Sequence, residues 1–250
     1  MAQRDRIVAF LDERLRVGEF DDASSNGLQV QGAKDVRKIA LATDAALATY
    51  RRALEEGCQM IVAHHGLIWG GIDRVVGRDY DHLKLLLDND LNLYAAHLPL
   101  DAHPEIGNNA VLARMLGLED HRPFGAYHGM KLGFAGRLPA PTDLDSLARS
   151  LSRSLGGSPK TLGFGPDRIE TVGVVSGRGG VLEEAIADGL DCLVTGEGKH
   201  EEHHVALEGG LNVVYAGHYA TETVGVKAVG EELEREFGVE TVFIDVPTAF

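Results

Sequence analysis

The chain has 250 residues, of which 44% are hydrophobic, and its formal net charge is -14. That length accommodates one large α/β domain or two modest ones, and an acidic chain without a basic cluster suits neither nucleic acid nor an anionic membrane as a partner. No segment approaches the roughly 18 apolar residues of a membrane span, and the charged N-terminus lacks the apolar core of a signal peptide. The two cysteines, Cys58 and Cys192, lie in apolar runs without a disulfide framework, so a cytoplasmic, reducing location is expected.

The first half of the sequence predicts three buried strands, each followed by a helix. The strands are "VRKIALATD" (36–44), "CQMIVAHHG" (58–66) and "LNLYAAH" (91–97), and the helices are "AALATYRRALEEG" (45–57), "DHLKLLLDND" (81–90) and "NNAVLARMLG" (108–117). Gly57 and Gly117 suit the left-handed conformation that ends many helices. The loop 67–80 follows the paired histidines and contains Trp69, and His82 beyond it is expected at the surface.

The middle of the chain, 124–168, predicts a small α+β insert. It contains "KLGFAGRL" (131–138), a helical segment at 141–157 with Thr142 or Asp143 as its cap, and a strand-like "KTLGFG" (160–165). The remaining sequence again alternates strands with helices. The strands are "IETVGVVSG" (169–177), "LDCLVTGEG" (190–198) and "LNVVYAGH" (211–218), and the helices are "VLEEAIADG" (181–189), "EEHHVALEGG" (201–210) and "TETVGVKAVGEELEREFG" (221–238).

The two halves present these elements in the same order, which indicates an internal duplication. The octets "YAAHLPLD" (94–101) and "YAGHYATE" (215–222) coincide within the series, and each places an acid four residues after a histidine. In the same alignment the paired histidines fall opposite Gly196 and Glu197. We therefore predict a first α/β repeat at 1–123, an insert at 124–168 and a second α/β repeat at 169–250. Such alternation predicts mostly parallel sheets with helices packed on them.

Histidines and acids gather at the carboxyl ends of the predicted strands, where ligands collect in parallel α/β sheets. They are His64, His65, His97, Asp101, His218 and Glu222. Imidazole and carboxylate bind divalent ions such as Zn, Mn and Fe, and six donors suit two ions roughly 3.5–4 Å apart. A lone histidine at a strand end is more often structural, so the prediction rests on the combination. The "SGRGG" segment (176–180) is interpreted as a tight turn rather than an anion site, and "SSNGLQVQG" (24–32) as either a hairpin turn or a polar lining of the cleft.

Several segments resemble the family called GTP cyclohydrolase 1 type 2, or Nif-three-like. They are "SSNGLQVQG", "VAHHGLIWGG", "NLYAAHLPLDAHPEIGNNAVLA", "LVTGEGKHE" and "YAGHYATETVGVKAV", and the resemblance extends over nearly the whole chain. It implies two intertwined three-layer α/β/α repeats, a dinuclear metal centre and a toroidal homohexamer. By the same resemblance the metal ligands are His64, His65, Asp101, His218 and Glu222. The resemblance also implies that His97 lies beside the centre and that Glu197 lies near it.

The function expected from this resemblance is metal-dependent hydrolysis of a small molecule, with GTP ring opening and release of formate as the specific reaction. His97 or Glu197 would then transfer protons as catalytic residues. The same ligands would equally serve a metal-dependent phosphoesterase. A non-catalytic metal-binding or regulatory scaffold remains a separate alternative, because the sequence offers no evident pocket for a base or a triphosphate. The identity of the two ions, among Zn, Fe, Mn, Ni and Co, stays open because such sites accept several metals.

Overall fold

A computed structural model describes residues 1–249 as two compact units, each built from α-helices and β-sheet. The first unit comprises Met1–Leu100 and Gly225–Val246, and the second comprises Asp101–Val224 with residues 247–249. These units are defined by contacts in space. The predicted division at 1–123, 124–168 and 169–250 is defined by the sequence repeat, and it stays a prediction. Among the described residues, no helix is both long enough and apolar enough to span a membrane.

The first unit contains one main sheet and its helices. In chain order its elements are β1 (Ala2–Gln3), α1 (Arg4–Leu15), a 3₁₀ turn (Val17–Glu19), β2 (Gly27–Val30), β3 (Asp35–Val36), β4 (Lys38–Asp44), α2 (Leu47–Glu55), β5 (Met60–His65), α3 (Arg78–Asp88), β6 (Asn92–Ala95), the start of α4 (Leu98–Ala102), most of α10 (Thr223–Phe237) and β13 (Glu240–Phe243). The short strands β1 and β3 pair with each other apart from the main sheet.

The main sheet of the first unit has the strand order β13-β4-β5-β6-β2. The central strands β4, β5 and β6 run parallel, as the sequence predicts, and β2 joins β6 antiparallel at the edge. Their apolar residues form a core with helices α2 and α3, in which Tyr50, Ile61 and Leu86 are fully buried. Burial of such side chains is the main favourable contribution to the stability of this unit.

The second unit contains a larger sheet. Its elements are the end of α4, α5 (Asn108–Met115), β7 (Glu119–Tyr127), β8 (Met130–Thr142), α6 (Leu144–Leu155), β9 (Lys160–Gly163), β10 (Ile169–Val175), α7 (Leu182–Ala187), β11 (Cys192–Thr195), α8 (Glu202–Gly209), β12 (Asn212–Tyr215), α9 (His218–Thr221) and the start of α10. The strand order is β7-β8-β10-β11-β12-β9. Strands β10, β11 and β12 run parallel, whereas β8 and β9 are antiparallel to their neighbours.

The duplication is visible in how each unit builds its sheet. Three consecutive parallel strands form the centre, and the strand of the same sheet that precedes them in the chain pairs antiparallel with the third. That preceding strand is β2 in the first unit and β9 in the second, and each contacts the helix before it, α1 or α6. Residues 144–163, predicted to belong to an insert, therefore occupy the place in the second unit that α1 and β2 occupy in the first. Asp143 caps α6 by accepting a hydrogen bond from the Ser146 amide, which confirms one of the two predicted caps.

Three features differ from the expectations. Strands β7 and β13 were not predicted, because β7 is mostly exposed and carries Pro123, and β13 has no fully buried residue. His82 was expected at the surface but is only 3% exposed. Its Nδ1 lies 3.3 Å from the Tyr50 hydroxyl, and it shares the buried face of α3 with Leu86 one turn later. The expectation was wrong because it followed from the polarity of histidine, whereas the four-residue spacing from Leu86 places His82 on the buried face of the helix.

Candidate metal centre

Candidate metal ligands occur in both compact units, and the first unit holds a histidine set made of His64, His65 and His97. His64 and His65 end β5, and His97 follows β6. Because β5 and β6 are parallel neighbours, their carboxyl ends lie at the same edge of the sheet. One ring nitrogen from each of the three histidines lies within 4.8 Å of the others. His64 is fully buried, and the side chains of His65 and His97 are 20% and 22% exposed.

The Nδ1 atom of each histidine in this set faces a hydrogen-bond acceptor. His64 donates to the carbonyl oxygen of Ala96 at 3.0 Å, and His65 donates to Oδ1 of Asp44 at 2.9 Å. His97 donates to Oδ1 of Asp22 at 2.9 Å. In a neutral imidazole, a proton on Nδ1 leaves the lone pair on Nε2. The three rings are therefore held in the tautomer that binds a metal ion through Nε2.

Asp22 is the most enclosed of these carboxylates, with 3% of its side chain exposed. Besides His97 it accepts hydrogen bonds from the Ser24 amide, from the Asn26 side chain and from the Leu98 amide. Burial alone would raise the pKa of Asp22, but the hydrogen bonds from His97 and Asn26 outweigh it and hold that pKa well below its usual range. Asp22 therefore stays ionised and keeps the orientation of His97 fixed.

The segment "SSNGLQVQG" supports this arrangement from the same side. The Asn26 side chain donates to Asp22 through Nδ2 at 2.9 Å and accepts the His97 amide through Oδ1 at 2.8 Å. Gly27 then begins strand β2. The segment therefore leads into β2, and its Asn26 side chain helps to orient His97. Of the two interpretations from the sequence, this arrangement is closer to a polar lining than to a hairpin turn.

The second unit holds an acidic set made of Asp101, His218 and Glu222. Asp101 lies in α4 and is 7% exposed. Its Oδ1 accepts hydrogen bonds from the Asn108 side chain at 2.9 Å and from the Ser176 hydroxyl at 3.0 Å. These two donors fix the plane of the carboxylate, which is the usual role of groups that surround a metal-binding acid.

His218 connects two carboxylates within the second unit. It begins the short helix α9, and its Nε2 lies 3.1 Å from Oε2 of Glu222, four residues later. Its Nδ1 lies 3.1 Å from Oε1 of Glu197. Burial lowers the pKa of His218, but Glu222 and Glu197 together outweigh this and raise it to about 9. The pair of acids therefore stabilises a positive charge at this position, as a bound cation would provide.

The "SGRGG" segment packs tightly against Glu222. Gly177 has φ +60, and a Cβ atom there would lie 2.1 Å from Oε1 of Glu222 and 3.3 Å from Nε2 of His218. The Gly177 carbonyl accepts hydrogen bonds from the amides of Gly196 and Glu197, each at 2.9 Å. The segment bends at Gly177 and Arg178, and the absence of a side chain at Gly177 makes room for the carboxylate.

The two octets occupy different registers in their sheets. Asn92 and Asn212 begin β6 and β12, and each pairs with the first residue of the neighbouring strand, β5 or β11. Tyr94 lies two residues after Asn92, whereas Tyr215 lies three residues after Asn212. A shift of one residue moves a side chain to the other face of a strand. Residues that match in the octets are therefore not equivalent in space.

This offset bears on the role of His97. We predict that His97→Ala leaves most of the metal bound while impairing turnover, because a histidine beside the ions orients substrate or moves protons. Metal content of the purified variant checks this. His65→Ala is the matched control, since His65 is similarly exposed and also donates Nδ1 to a carboxylate. The ring nitrogens of His64, His65 and His97 form one group, so equal metal loss in both variants would make His97 a full ligand.

Two carboxylates that orient histidines were not predicted from the sequence. Asp44 is the last residue of β4 and pairs in register with His65 of the neighbouring strand β5. An acid at the end of the strand that precedes the paired histidines could therefore have predicted this contact. Asp22 precedes β2 in an irregular segment and lies 75 residues before His97 in the chain. No spacing rule connects residues that far apart. Glu197 was predicted near the centre, and the structure places it against His218.

Comparisons with known proteins extend over nearly the whole chain. A family model described as Duf34/NIF3 (NGG1p interacting factor 3) matches residues 2–249. A protein of Halobacterium salinarum named GTP cyclohydrolase 1 type 2 homolog is 50% identical, with 97% of both chains covered. A protein of the same name from Deinococcus radiodurans is 46% identical over 98% of this chain and 94% of its own length.

Solved structures give the same result for the fold. A crystal structure from Thermus thermophilus is 47% identical, covers 100% of both chains and has a TM-score of 0.91. Reduced HcgD from Methanocaldococcus jannaschii is 27% identical, with a TM-score of 0.86 and 98% of both chains covered. The match to the family model and the identity to full-length relatives lead to one conclusion: this chain belongs to the Duf34/NIF3 family.

Proposed function

We propose that this protein binds two divalent metal ions and is a metal-dependent hydrolase acting on a nucleotide. The ligands in this proposal are His64 and His65 of the histidine set and Asp101, His218 and Glu222 of the acidic set. The observation that carries it is the hydrogen bonding of the imidazoles: Nδ1 of His64, His65 and His97 each faces an acceptor, which favours the tautomer with the lone pair on Nε2, and His218 lies between the carboxylates of Glu197 and Glu222. Imidazoles in that state, with buried carboxylates, suit Zn, Fe, Mn, Ni or Co.

The proposed reaction is the opening of the guanine ring of GTP. Water adds at C8, the imidazole ring opens to a formamide, and a second water releases formate. Bound divalent ions would supply a water of lowered pKa and would neutralise developing negative charge. His97, held by Asp22, is proposed to accept and return a proton at Nε2. Glu197, with 26% of its side chain exposed, is proposed as a second group that transfers protons.

The test is an activity assay on protein loaded with each candidate metal in turn. Formate and free phosphate are measured separately after incubation with GTP. Formate that requires the metal, and that is lost in His65→Ala, supports ring opening. Phosphate without formate supports the second candidate, a metal-dependent phosphoesterase, since the same ligands suit both reactions. The names of the relatives from Halobacterium and Deinococcus favour GTP over other substrates.

A non-catalytic role as a metal-binding or regulatory scaffold is the alternative from a different class. It predicts stoichiometric metal binding with no turnover across a panel of nucleotides and phosphoesters. Metal analysis and the activity panel on the same preparation separate the two classes. The proposed partners are a small-molecule substrate and further copies of this chain, without nucleic acid or membrane, in the cytoplasm.

The proposed assembly is a homohexamer. Static light scattering across a range of salt concentrations measures its mass, and a monomer mass at every salt concentration would contradict the proposal. The salt series is needed because a chain with a net charge of -14 repels its own copies more strongly when the Debye length is long.

A further inference from the structure

Trp69 is the single tryptophan of the sequence and lies beside the histidine set. The centre of its indole is 5.0 Å from the ring of His97 and 6.1 Å from the ring of His65. The residue is nevertheless 42% exposed. An exposed aromatic ring beside polar, chemically capable groups offers a flat surface on which a ligand can pack.

The indole is held rather than loose. Its Nε1–H donates to the carbonyl of Gly66 at 2.9 Å, and its backbone forms a β-bridge with Ser24. Adjoining hydrogen bonds join Ser25 to Ile68 at 3.0 Å and Ala23 to Gly70 at 2.7 Å. The polar edge of the ring is therefore already bonded, and what remains exposed is apolar ring surface.

Gln29 fixes the start of the same loop. Its side-chain oxygen accepts the amides of Leu67 and Ile68, and its side-chain nitrogen donates to the carbonyls of Ser25 and Ile68. The loop thus leaves the histidine pair in one conformation. A ring that is fixed before binding loses little conformational entropy when a ligand stacks on it, which increases affinity.

The two residues after Trp69 carry no side chain. Gly70 and Gly71 follow Trp69, and a Cβ atom at either position would meet no heavy atom within 4 Å among the described residues. Neither residue therefore places a side chain over the indole, which is 42% exposed. Stacking of a base on an aromatic side chain contributes about 1–3 kcal/mol and tolerates any heteroaromatic ring.

We propose that Trp69 is a positioning residue on which the heteroaromatic base of the substrate stacks, so that the ring is held beside His65 and His97. This inference rests on the proposed nucleotide substrate and assigns the recognition of its base to a named side chain. The competing role is that Trp69 merely shields the histidines from water. Shielding predicts altered metal binding in a Trp69 variant, whereas stacking predicts altered substrate affinity at unchanged metal content.

The experiment uses the fluorescence of Trp69, which reports on this residue alone because the chain has no other tryptophan. Metal-loaded protein is titrated with GMP, with ribose 5-phosphate and with tripolyphosphate, and N-acetyltryptophanamide corrects for light absorbed by the base. Saturable quenching by GMP, but not by the two compounds without a base, is the expected result. Equal quenching by all three, or none by GMP, would overturn the inference.

Two variants extend the test. Trp69→Leu removes the aromatic face, and calorimetry should show the affinity for GMP falling about tenfold or more, whereas Trp69→Phe should retain most of it. Metal content should equal that of the wild type in both, and a loss of metal in Trp69→Leu would favour shielding and overturn the inference. These readouts require no turnover. Base-dependent quenching without formate would therefore reject ring opening while supporting the stacking role.

Discussion

Replacing Glu222 by glutamine is expected to lower the affinity for divalent metal by about 100-fold or more. Loss of a group that only orients a ligand typically costs about 10–100-fold, and loss of a ligand should cost at least as much. Glu222 is 3% exposed and lies 3.1 Å from His218. Glutamine keeps the shape of the side chain but removes the negative charge that would bridge two cations. Titration of the metal-stripped variant, followed by metal analysis, measures the change.

Glu197→Gln is the matched control for this variant. Glu197 also contacts His218, but at Nδ1, and the amide oxygen of glutamine can still accept that hydrogen bond. We expect a loss of about tenfold, at the lower end of what such orienting groups contribute. If Glu197→Gln lost as much metal as Glu222→Gln, the assignment of Glu222 as a ligand and Glu197 as its neighbour would be wrong.

Gly177→Ala is expected to reduce metal affinity nearly as much, although position 177 carries no ligand. The new Cβ atom would lie 2.1 Å from Oε1 of Glu222, so the carboxylate must turn away from its present position. The end of a glutamate side chain moves more easily than backbone, and the protein should therefore fold with its ligand displaced. Metal titration and urea unfolding of the metal-free protein separate loss of the ligand from loss of stability.

Gly180→Ala provides the control in the same loop. Gly180 has φ +58, close to the φ +60 of Gly177, but a Cβ atom there would meet nothing within 4 Å among the described residues. Both variants should lose about 1–2 kcal/mol of unfolding free energy from the left-handed conformation. Only Gly177→Ala should lose metal. Equal metal affinity in the two variants would show that Glu222 does not bind through its present position.

Much of the central architecture could be predicted because it is written in short stretches of sequence. Apolar runs that end in polar residues predict the parallel strands β4, β5 and β6. The His-x-x-x-acid spacing occurs once in each half of the chain and indicates the duplication. The ligand candidates followed from the rule that parallel strands place their carboxyl ends at one edge. These inferences need only local patterns and one general rule of sheet geometry.

The remainder depends on pairings that no local pattern encodes. Asp22 reaches His97 across 75 residues of chain, and the offset between the octets appears only in the strand registers. Strand β13 pairs with β4, so a segment near the end of the sequence belongs to the unit at its start. Strand pairing and register are determined by the packing of the whole unit rather than by the strand propensity of single residues.

The pairing of β13 with β4 has a consequence for how the chain is made. Domains usually fold in order as they leave the ribosome, but the first unit needs β13 (Glu240–Phe243) to complete its sheet. The second unit ends its main segment at Val224 and so has nearly all of its residues earlier. Until β13 arrives, the edge of β4 stays unpaired, and an unpaired edge invites association between nascent chains. Newly made protein should therefore depend most on chaperones in the interval between release of the second unit and release of the last strand.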